Sequence, residues 1–200
     1  MKLKSGLALL SIGAAVTLSA APDLSEYNTP DVALNLVKNG GFETVDAAKN
    51  FLPDWGKLTA NVIRDENVKH SGEASIKVGG VPQGYTSASF RLGAIADLQN
   101  DLLIRGWCKY EGIENAKGCF IGIWTNTAEG KNSRTFALVT VPEGSGDWFY
   151  FEKVLKVDEL KEACAKIKPE PVSCAFRINI YKQLGWVWLD DVEIIPLEKK

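Results

Sequence analysis

Residues 175–195 read AFRINIYKQLGWVWLDDVEII, and this stretch gives the clearest indication of the fold. From Phe176 to Tyr181, apolar side chains alternate with Arg, Asn and Tyr, which is the period of a strand with one buried and one polar face. A second segment rich in β-branched and aromatic residues, 186–195, follows after a short interval that contains Gly185. The pattern therefore predicts two successive strands.

Six further segments toward the N-terminus have the same β-rich composition. They cover residues 60–64, 87–92, 102–110, 119–125, 135–141 and 148–157. Turn clusters rich in Gly, Pro and Asn separate them, at 78–80, 129–132 and 142–146. The spacing predicts an all-β fold, a two-sheet antiparallel β-sandwich (jelly roll). One short helical insertion is expected at 158–166, with Asp158 as its cap.

Composition narrows the function before any motif is considered. The chain has 200 residues, 46% hydrophobic and 24% charged, which suits a single globular domain with a sizeable core. Its 23 basic residues face 25 acidic ones, so it lacks the positive field that nucleic acid requires, and we expect no nucleic-acid partner. The single histidine, His70, removes most His-based catalytic and metal sites.

The first residues have the pattern of a secretory signal peptide. Lys2 and Lys4 precede a stretch from Gly6 to Ala21 without charge, too short to span a bilayer. We expect cleavage after Ala20, followed by an N-terminal extension (21–34), the sandwich domain (35–196) and a C-terminal tail (197–200). No cysteine follows the cut directly to accept a lipid. The expected product is a secreted or periplasmic protein without a membrane span.

In an oxidising compartment an even number of cysteines favours disulfides. The chain has four, and their order suggests two local pairs, Cys108 with Cys119 and Cys164 with Cys174. A hairpin around 111–115 would place the first pair opposite each other. All three connectivities stay open, and the spacing lacks the CxxC elements of a zinc site.

Five motifs occur in an order that matches a known family. They are NLVKNGGFE (35–43), LPDW (52–55), HSGEASI (70–76), GDWFYF (146–151) and GWVWLDDVEI (185–194). Together they resemble the carbohydrate-binding modules of families 4, 9 and 22, which are galactose-binding-like jelly rolls. The resemblance implies a non-catalytic domain whose partner is a polysaccharide or oligosaccharide. Related jelly rolls also serve as spacers or protein-contact domains.

The same resemblance implies a structural calcium ion as cofactor. Its ligands would be carbonyl or side-chain oxygens of Gly41, Glu43, Ser71, Ala74 and Asp190, with Asp191 as the alternative acid. Physically, Glu43 and Asp190 come from opposite ends of the domain, which a jelly roll brings together, and two adjacent carboxylates require a compensating cation. The alternative is that both acids cap exposed turns.

Strand alternation supplies the candidate ligand-binding residues. The polar and aromatic positions of three strands would share one open sheet face, where aromatic rings pack on sugar C–H patches and polar groups bind hydroxyls. Pairing of Cys108 with Cys119 would also set Trp107 opposite Phe120. Burial of the tryptophans in the core is the alternative. The predicted ligand-binding residues are Arg105, Trp107, Trp124, Arg177, Asn179 and Tyr181.

Catalytic constellations are weak in this sequence. Glu111 and Glu114 could form a glycosidase pair only if they lined a cleft, and they lie in an expected exposed turn. His70 stands beside Gly72 without a nucleophile motif, which favours a turn residue over a base. We therefore expect no enzyme activity. Two hypotheses remain: an exported polysaccharide-binding module, or a structural or adhesive jelly roll that contacts another protein or a cell-surface component.

Overall fold

The computed structural model describes residues 21–200, so the expected signal peptide lies outside the described residues. Within them, no helix combines the length and the apolar character that crossing a membrane requires. Eleven strands and one α-helix make up the regular structure of this part of the chain.

The strands are β1 (Phe51–Leu52), β2 (Gly56–Lys57), β3 (Val62–Asp65), β4 (Ser75–Gly79), β5 (Tyr85–Ala94), β6 (Leu102–Ile113), β7 (Cys119–Asn126), β8 (Asn132–Thr140), β9 (Gly144–Leu155), β10 (Ser173–Tyr181) and β11 (Trp186–Pro196). Helix α1 spans Val157–Ala165, and single 3-10 turns occur at Val32–Leu34, Ile95–Asp97 and Ala116–Gly118.

Two antiparallel sheets face each other. One has four strands in the order β5-β10-β7-β8, and the other has five in the order β3-β4-β11-β6-β9. Strands β1 and β2 form a separate two-stranded ribbon. The predicted all-β sandwich and all eight predicted strands are confirmed, with bounds that differ by a few residues.

The core lies between the sheets, where the alternating apolar side chains meet. Phe176, Ile178 and Ile180 of β10 are each 0% exposed, as the alternation predicted. Trp55 closes one part of this core, with its ring centroid 4.9 Å from that of Phe42 and 6.0 Å from that of Phe176. Because inward positions are apolar, the outward positions carry the chemistry.

Two local predictions were wrong. Strand β4 was not predicted, because Gly79 and Gly80 were interpreted as a turn, whereas Ser75–Gly79 is a buried strand between β3 and β11. Helix α1 begins after Lys156, whose side chain makes no capping hydrogen bond, and Asp158 lies within the first turn. An acid in the first turn still favours the helix through its dipole.

Gln183 is buried where the chain passes between the sheets. Its Oε1 accepts hydrogen bonds from the N–H groups of Glu114 and Asn115 at 3.0 and 2.8 Å, and its Nε2 donates to the Asn115 carbonyl at 2.9 Å. A third crossing segment packs here too, since a Cβ on Gly80 would lie 2.3 Å from the Gln183 carbonyl oxygen. Gln183 thus contacts the β6–β7 connection through its side chain and the β4–β5 connection through its backbone.

The two ends of the described chain pair with each other. The Asn28 N–H donates to the Glu198 carbonyl at 2.9 Å, and the Lys200 N–H donates to the Glu26 carbonyl at 3.1 Å. Between them lies a polar cluster in which the Tyr27 hydroxyl donates to Asp101 and Lys156 lies 3.6 Å from the same carboxylate.

Ionised Asp101 holds this cluster together. Burial opposes its charge, but hydrogen bonds from the Tyr27 hydroxyl and the Val157 N–H keep the pKa of Asp101 below its usual value. Burial and the Asp101 carboxylate together raise the pKa of Tyr27 to about 12. A carboxyl group whose pKa is lower in the folded than in the unfolded state stabilises the fold at pH values above the unfolded-state pKa. This stabilisation is lost as the pH falls through the folded-state pKa.

We therefore expect Asp101→Asn to lower the free energy of unfolding by about 1–3 kcal/mol at neutral pH, because a buried charge-assisted acceptor is lost. The difference in free energy of unfolding between wild type and variant should decrease below a pH of about 4, where the carboxyl group of the wild type becomes protonated. Urea unfolding at several pH values measures both. The exposed Asp97→Asn is the control; an Asp101 gap independent of pH would contradict this account.

Candidate functional site

The outer face of the four-stranded sheet carries most of the predicted ligand-binding residues. Strand pairing aligns three rows of side chains across β5, β10, β7 and β8. The first row is Arg91, Ala175, Trp124 and Thr135; the second is Ser89, Arg177, Gly122 and Ala137; the third is Ser87, Asn179, Phe120 and Thr140. Small residues thus lie between aromatic and cationic ones, which leaves room above the backbone.

Arg177 and Trp124 form the centre of this face. The guanidinium carbon of Arg177 lies 4.4 Å from the centroid of the Trp124 ring, a cation–π distance that fixes both side chains. The Arg177 Nε is buried and has no hydrogen-bond partner among the described residues. Burial lowers the pKa of Arg177, and the nearby Tyr85 offsets this effect only in part.

The other two residues of this group differ in exposure. Tyr181 is 48% exposed at the end of β10, beside Tyr85 of β5 at 56%. Asn179 is only 3% exposed, and its Oδ1 has no hydrogen-bond partner within the described part of the chain. The tyrosines are therefore open to a polymer, whereas Asn179 lies below the surface.

A cleft of about 550 Å³ opens beside the first two rows. Its walls come from β5 and β10 on one side and from the β1–β2 ribbon on the other. They include Phe51, Asp54, Trp55, Ser89, Arg91, Asn126, Ala175 and Arg177. A volume in the range of about 300–1,000 Å³ is typical of pockets that hold small ligands or parts of a chain.

Arg105 and Trp107 do not belong to this face. Both point outward from β6 as predicted, but β6 is part of the five-stranded sheet, so they lie on the opposite side of the sandwich. Strands β6 and β7 do not pair, and Trp107 is aligned with Tyr150 rather than with Phe120. The prediction of one cleft shared by all six residues was wrong for these two, because alternation does not specify the sheet.

Arg105 and Trp107 both contact other side chains of the same sheet face. The guanidinium of Arg105 pairs with Glu193 and with Glu152, the latter at 3.9 Å. The indole of Trp107 stacks on the His70 ring, with centroids 3.9 Å apart and planes 14° apart. The charge of Arg105 and the ring of Trp107 are therefore both paired within the protein.

The predicted metal ligands gather around the turn at residues 70–73. Asp190 is 0% exposed, and its Oδ2 accepts hydrogen bonds from the N–H groups of His70 and Ser71 at 2.8 and 3.1 Å. Its Oδ1 accepts the Asp191 N–H at 2.8 Å. Burial, with a contribution from the Asp191 charge, raises the pKa of Asp190 to about 6.

Glu43 and Asp191 complete this cluster. Both oxygens of Glu43 accept the N–H of Glu73, at 3.1 and 2.9 Å. Asp191 receives the Ser71 hydroxyl at 2.7 Å and lies 2.8 Å from the His70 Nδ1. A Cβ placed on Gly41 would be 3.5 Å from a Glu43 oxygen and 3.8 Å from an Asp191 oxygen. The structure therefore brings Gly41, Glu43, Ser71 and Asp190 together. The buried Ala74 lies directly before β4.

Calcium prefers carboxylate and carbonyl oxygens, and this cluster supplies both. Its acids, however, are already engaged by backbone N–H groups of the 70–73 turn. Among residues 21–200, no group of three or more His, Cys, Asp or Glu side chains is placed to hold a metal ion. The donor chemistry fits calcium, while the present arrangement also fits acids that fasten a turn.

All four cysteines are buried free thiols in this structure. Burial and the neighbouring Cys119 raise the pKa of Cys108 well above its usual value, and burial with neighbouring Cys164 raises the pKa of Cys174 to about 12. The structure therefore does not contain the two expected disulfides.

Arg91 lies in the same row as Trp124 and lines the cleft, although it was not among the predicted ligand-binding residues. The signal was present, since Ser87, Ser89 and Arg91 alternate with the buried Ala88 and Phe90. The contribution of the β1–β2 ribbon to the cleft had no comparable signal, because two-residue strands show no period.

No protein-family model matches the chain, and no curated protein sequence matches it. Solved structures do. The CBM22-1 xylan-binding domain from Paenibacillus barcinonensis Xyn10C has a TM-score of 0.52 and 12% identity, with 86% of this chain and 97% of that domain covered. The CBM22-1-CBM22-2 tandem of the same protein has a TM-score of 0.55 and 13% identity, with coverage of 86% and 47%.

The C-terminal family 22 carbohydrate-binding module of Clostridium thermocellum Xyn10B is also similar, with a TM-score of 0.50, 12% identity and coverage of 90% and 98%. At these identities the similarity concerns the fold. The chain has the jelly-roll β-sandwich fold of carbohydrate-binding modules, as the five sequence motifs indicated. Function must be argued from the site itself, since one fold hosts many functions.

Proposed function

We propose that this chain is an exported, non-catalytic domain that binds a polysaccharide on the outer face of its four-stranded sheet. The observation that carries the proposal is the pairing of Trp124 with Arg177 above rows of small residues, next to an open cleft. Sugar rings offer flat apolar patches to aromatic faces and hydroxyls to polar groups. The xylan-binding name of one structural neighbour agrees with this assignment.

The chemistry of the cleft favours binding over catalysis. A glycosidase requires two carboxylates on either side of the scissile bond. Asp54 is the one carboxylate among the described residues that line the cleft, and it accepts the Lys38 N–H at 3.1 Å. Glu111 and Glu114 are exposed and lie outside the set of residues that form this cleft. Export is proposed from the sequence pattern of residues 1–20.

We expect Trp124→Ala to lower affinity for the bound polymer by at least about tenfold, because a central aromatic contact is worth more than 1.4 kcal/mol. Affinity electrophoresis against soluble β-glucans, xylans, mannans and pectins measures this. Trp107→Ala is the matched control, since it removes the same side chain from the opposite sheet.

The control gives the experiment its direction. Loss of retardation in Trp124→Ala alone supports the proposed face, whereas loss in Trp107→Ala alone would move the site to the five-stranded sheet. If the folded wild-type protein is retarded by no polymer, a structural or adhesive jelly roll that contacts another protein or a cell-surface component becomes the better assignment.

We also propose a structural calcium ion at the 70–73 turn. Glu43, Asp190 and carbonyl oxygens near Gly41, Ser71 and Ala74 would hold it, and Asp191 is close enough to contribute. The approach of Glu43 and Asp191 oxygens toward Gly41 supports the proposal. A bound cation would offset the repulsion between these acids and would join the loop before β1 to β11.

Calcium in large excess over its Kd should raise the Tm by about 5 °C or more relative to the chelated protein. Glu43→Gln should abolish most of this shift, because it removes a charged donor. Differential scanning calorimetry with calcium and with chelator measures it. Asp147→Asn is the control for general charge effects, since Asp147 is an exposed acid of the other sheet edge. Equal Tm values with calcium and chelator would eliminate the site.

We propose the disulfides Cys108–Cys119 and Cys164–Cys174 for the protein in an oxidising compartment, because all four thiols are buried in the same core. In denaturant, we expect thiol titration of an oxidised preparation to detect no free cysteine, and Cys108→Ser to expose one, that of Cys119. Peptide mapping assigns the pairs. Free thiols in the oxidised wild type, or other pairs, would refute this connectivity.

A further inference from the structure

The cleft face carries cations without acidic partners. Arg177 and Arg91 both line the cleft, and neither forms an ion pair with any described residue. Asp54 is the one acid in the same lining, and its carboxylate is turned to the Lys38 N–H. The cleft therefore has an excess of positive charge in a protein whose formal net charge is −2.

Other half-buried arginines of this chain are treated differently. Arg105 pairs with Glu193 and Glu152, and Arg64 pairs with Glu66 while its Nε donates to the Phe42 carbonyl at 2.7 Å. Arg177 has no such partner, although its Nε is fully buried. A partly buried cation whose charge no acid of the described residues balances is costly, so an anion from outside the chain would stabilise it.

We infer that the proposed polysaccharide ligand is acidic and that its anionic groups, carboxylate or sulfate, bind between Arg177 and Arg91. Arg91 and Arg177 lie on adjacent strands, β5 and β10, in neighbouring rows of the face. Guanidinium groups bind carboxylate and sulfate oxygens through paired, charge-assisted hydrogen bonds. The contact of Arg177 with Trp124 holds the guanidinium in place for this role. The inference rests on the proposed function and specifies its ligand class.

Matched polymers isolate the charge. Polygalacturonate and its fully methyl-esterified form share a backbone and differ in the carboxylate; carrageenan and its desulfated form are the matched pair for sulfate. The full chain should bind the acidic member of at least one pair about tenfold more tightly than the neutral member. That preference should fall at roughly 1 M salt, where the screening length is about 3 Å. The pair that shows the preference identifies the anionic group.

Two variants locate the effect. Arg177→Gln and Arg91→Gln should each reduce the preference severalfold, and Arg91→Gln affects an exposed side chain, so it tests the idea even if Arg177→Gln folds poorly. Arg105→Gln removes the same charge from the opposite face and should leave the preference unchanged. Isothermal titration calorimetry measures the affinities, with Tm values as a check on folding.

The outcomes separate this inference from the function on which it rests. Binding of neutral polymers with no preference in either pair would overturn the acidic assignment and keep the polysaccharide-binding function. A preference that persists in both cleft variants would also overturn it. Absence of binding to all polymers by the folded protein would remove both proposals.

Discussion

Gln183 is buried at the point where three connections pass from one sheet to the other, and its amide makes three hydrogen bonds there. A sandwich depends on such crossings, because each must bring polar backbone groups close to the core and satisfy them. The amide replaces the missing sheet partners of residues 114 and 115. This junction lies just after the end of β10 and just before the start of β7, the two strands at the centre of the cleft face.

The register then determines the chemistry of each surface. Every inward position between the sheets is used for the core, so the outward positions of β10 and β7 are free to carry Arg177 and Trp124. On the five-stranded sheet, the equivalent outward residues satisfy one another, as Arg105 does with its two glutamates. Both faces contain aromatic rings and arginine. They differ in whether the arginine has an acidic partner among the described residues.

Acidic side chains stabilise the turn at residues 70–73. Gly72 has a φ of +57°, and a Cβ there would lie 1.9 Å from a Glu43 oxygen, so only glycine allows this carboxylate to reach the turn. Asp190 and Glu43 accept N–H groups of residues that follow one another along the turn. The motifs at 35–43, 70–76 and 185–194 are thus distant in sequence and joined in space by charge-assisted hydrogen bonds.

Eight of the strands, the alternation of side chains along them and the class of fold could be predicted from the sequence, because hydrophobic alternation and turn residues are local properties. The sequence also placed Trp124, Arg177 and Tyr181 on one surface. It did not separate them from Arg105 and Trp107, and it did not find Ser75–Gly79 or the ribbon beside the cleft. These points became clear from the three-dimensional arrangement alone, because the sheet to which a strand belongs depends on hydrogen bonds to strands far away in the chain.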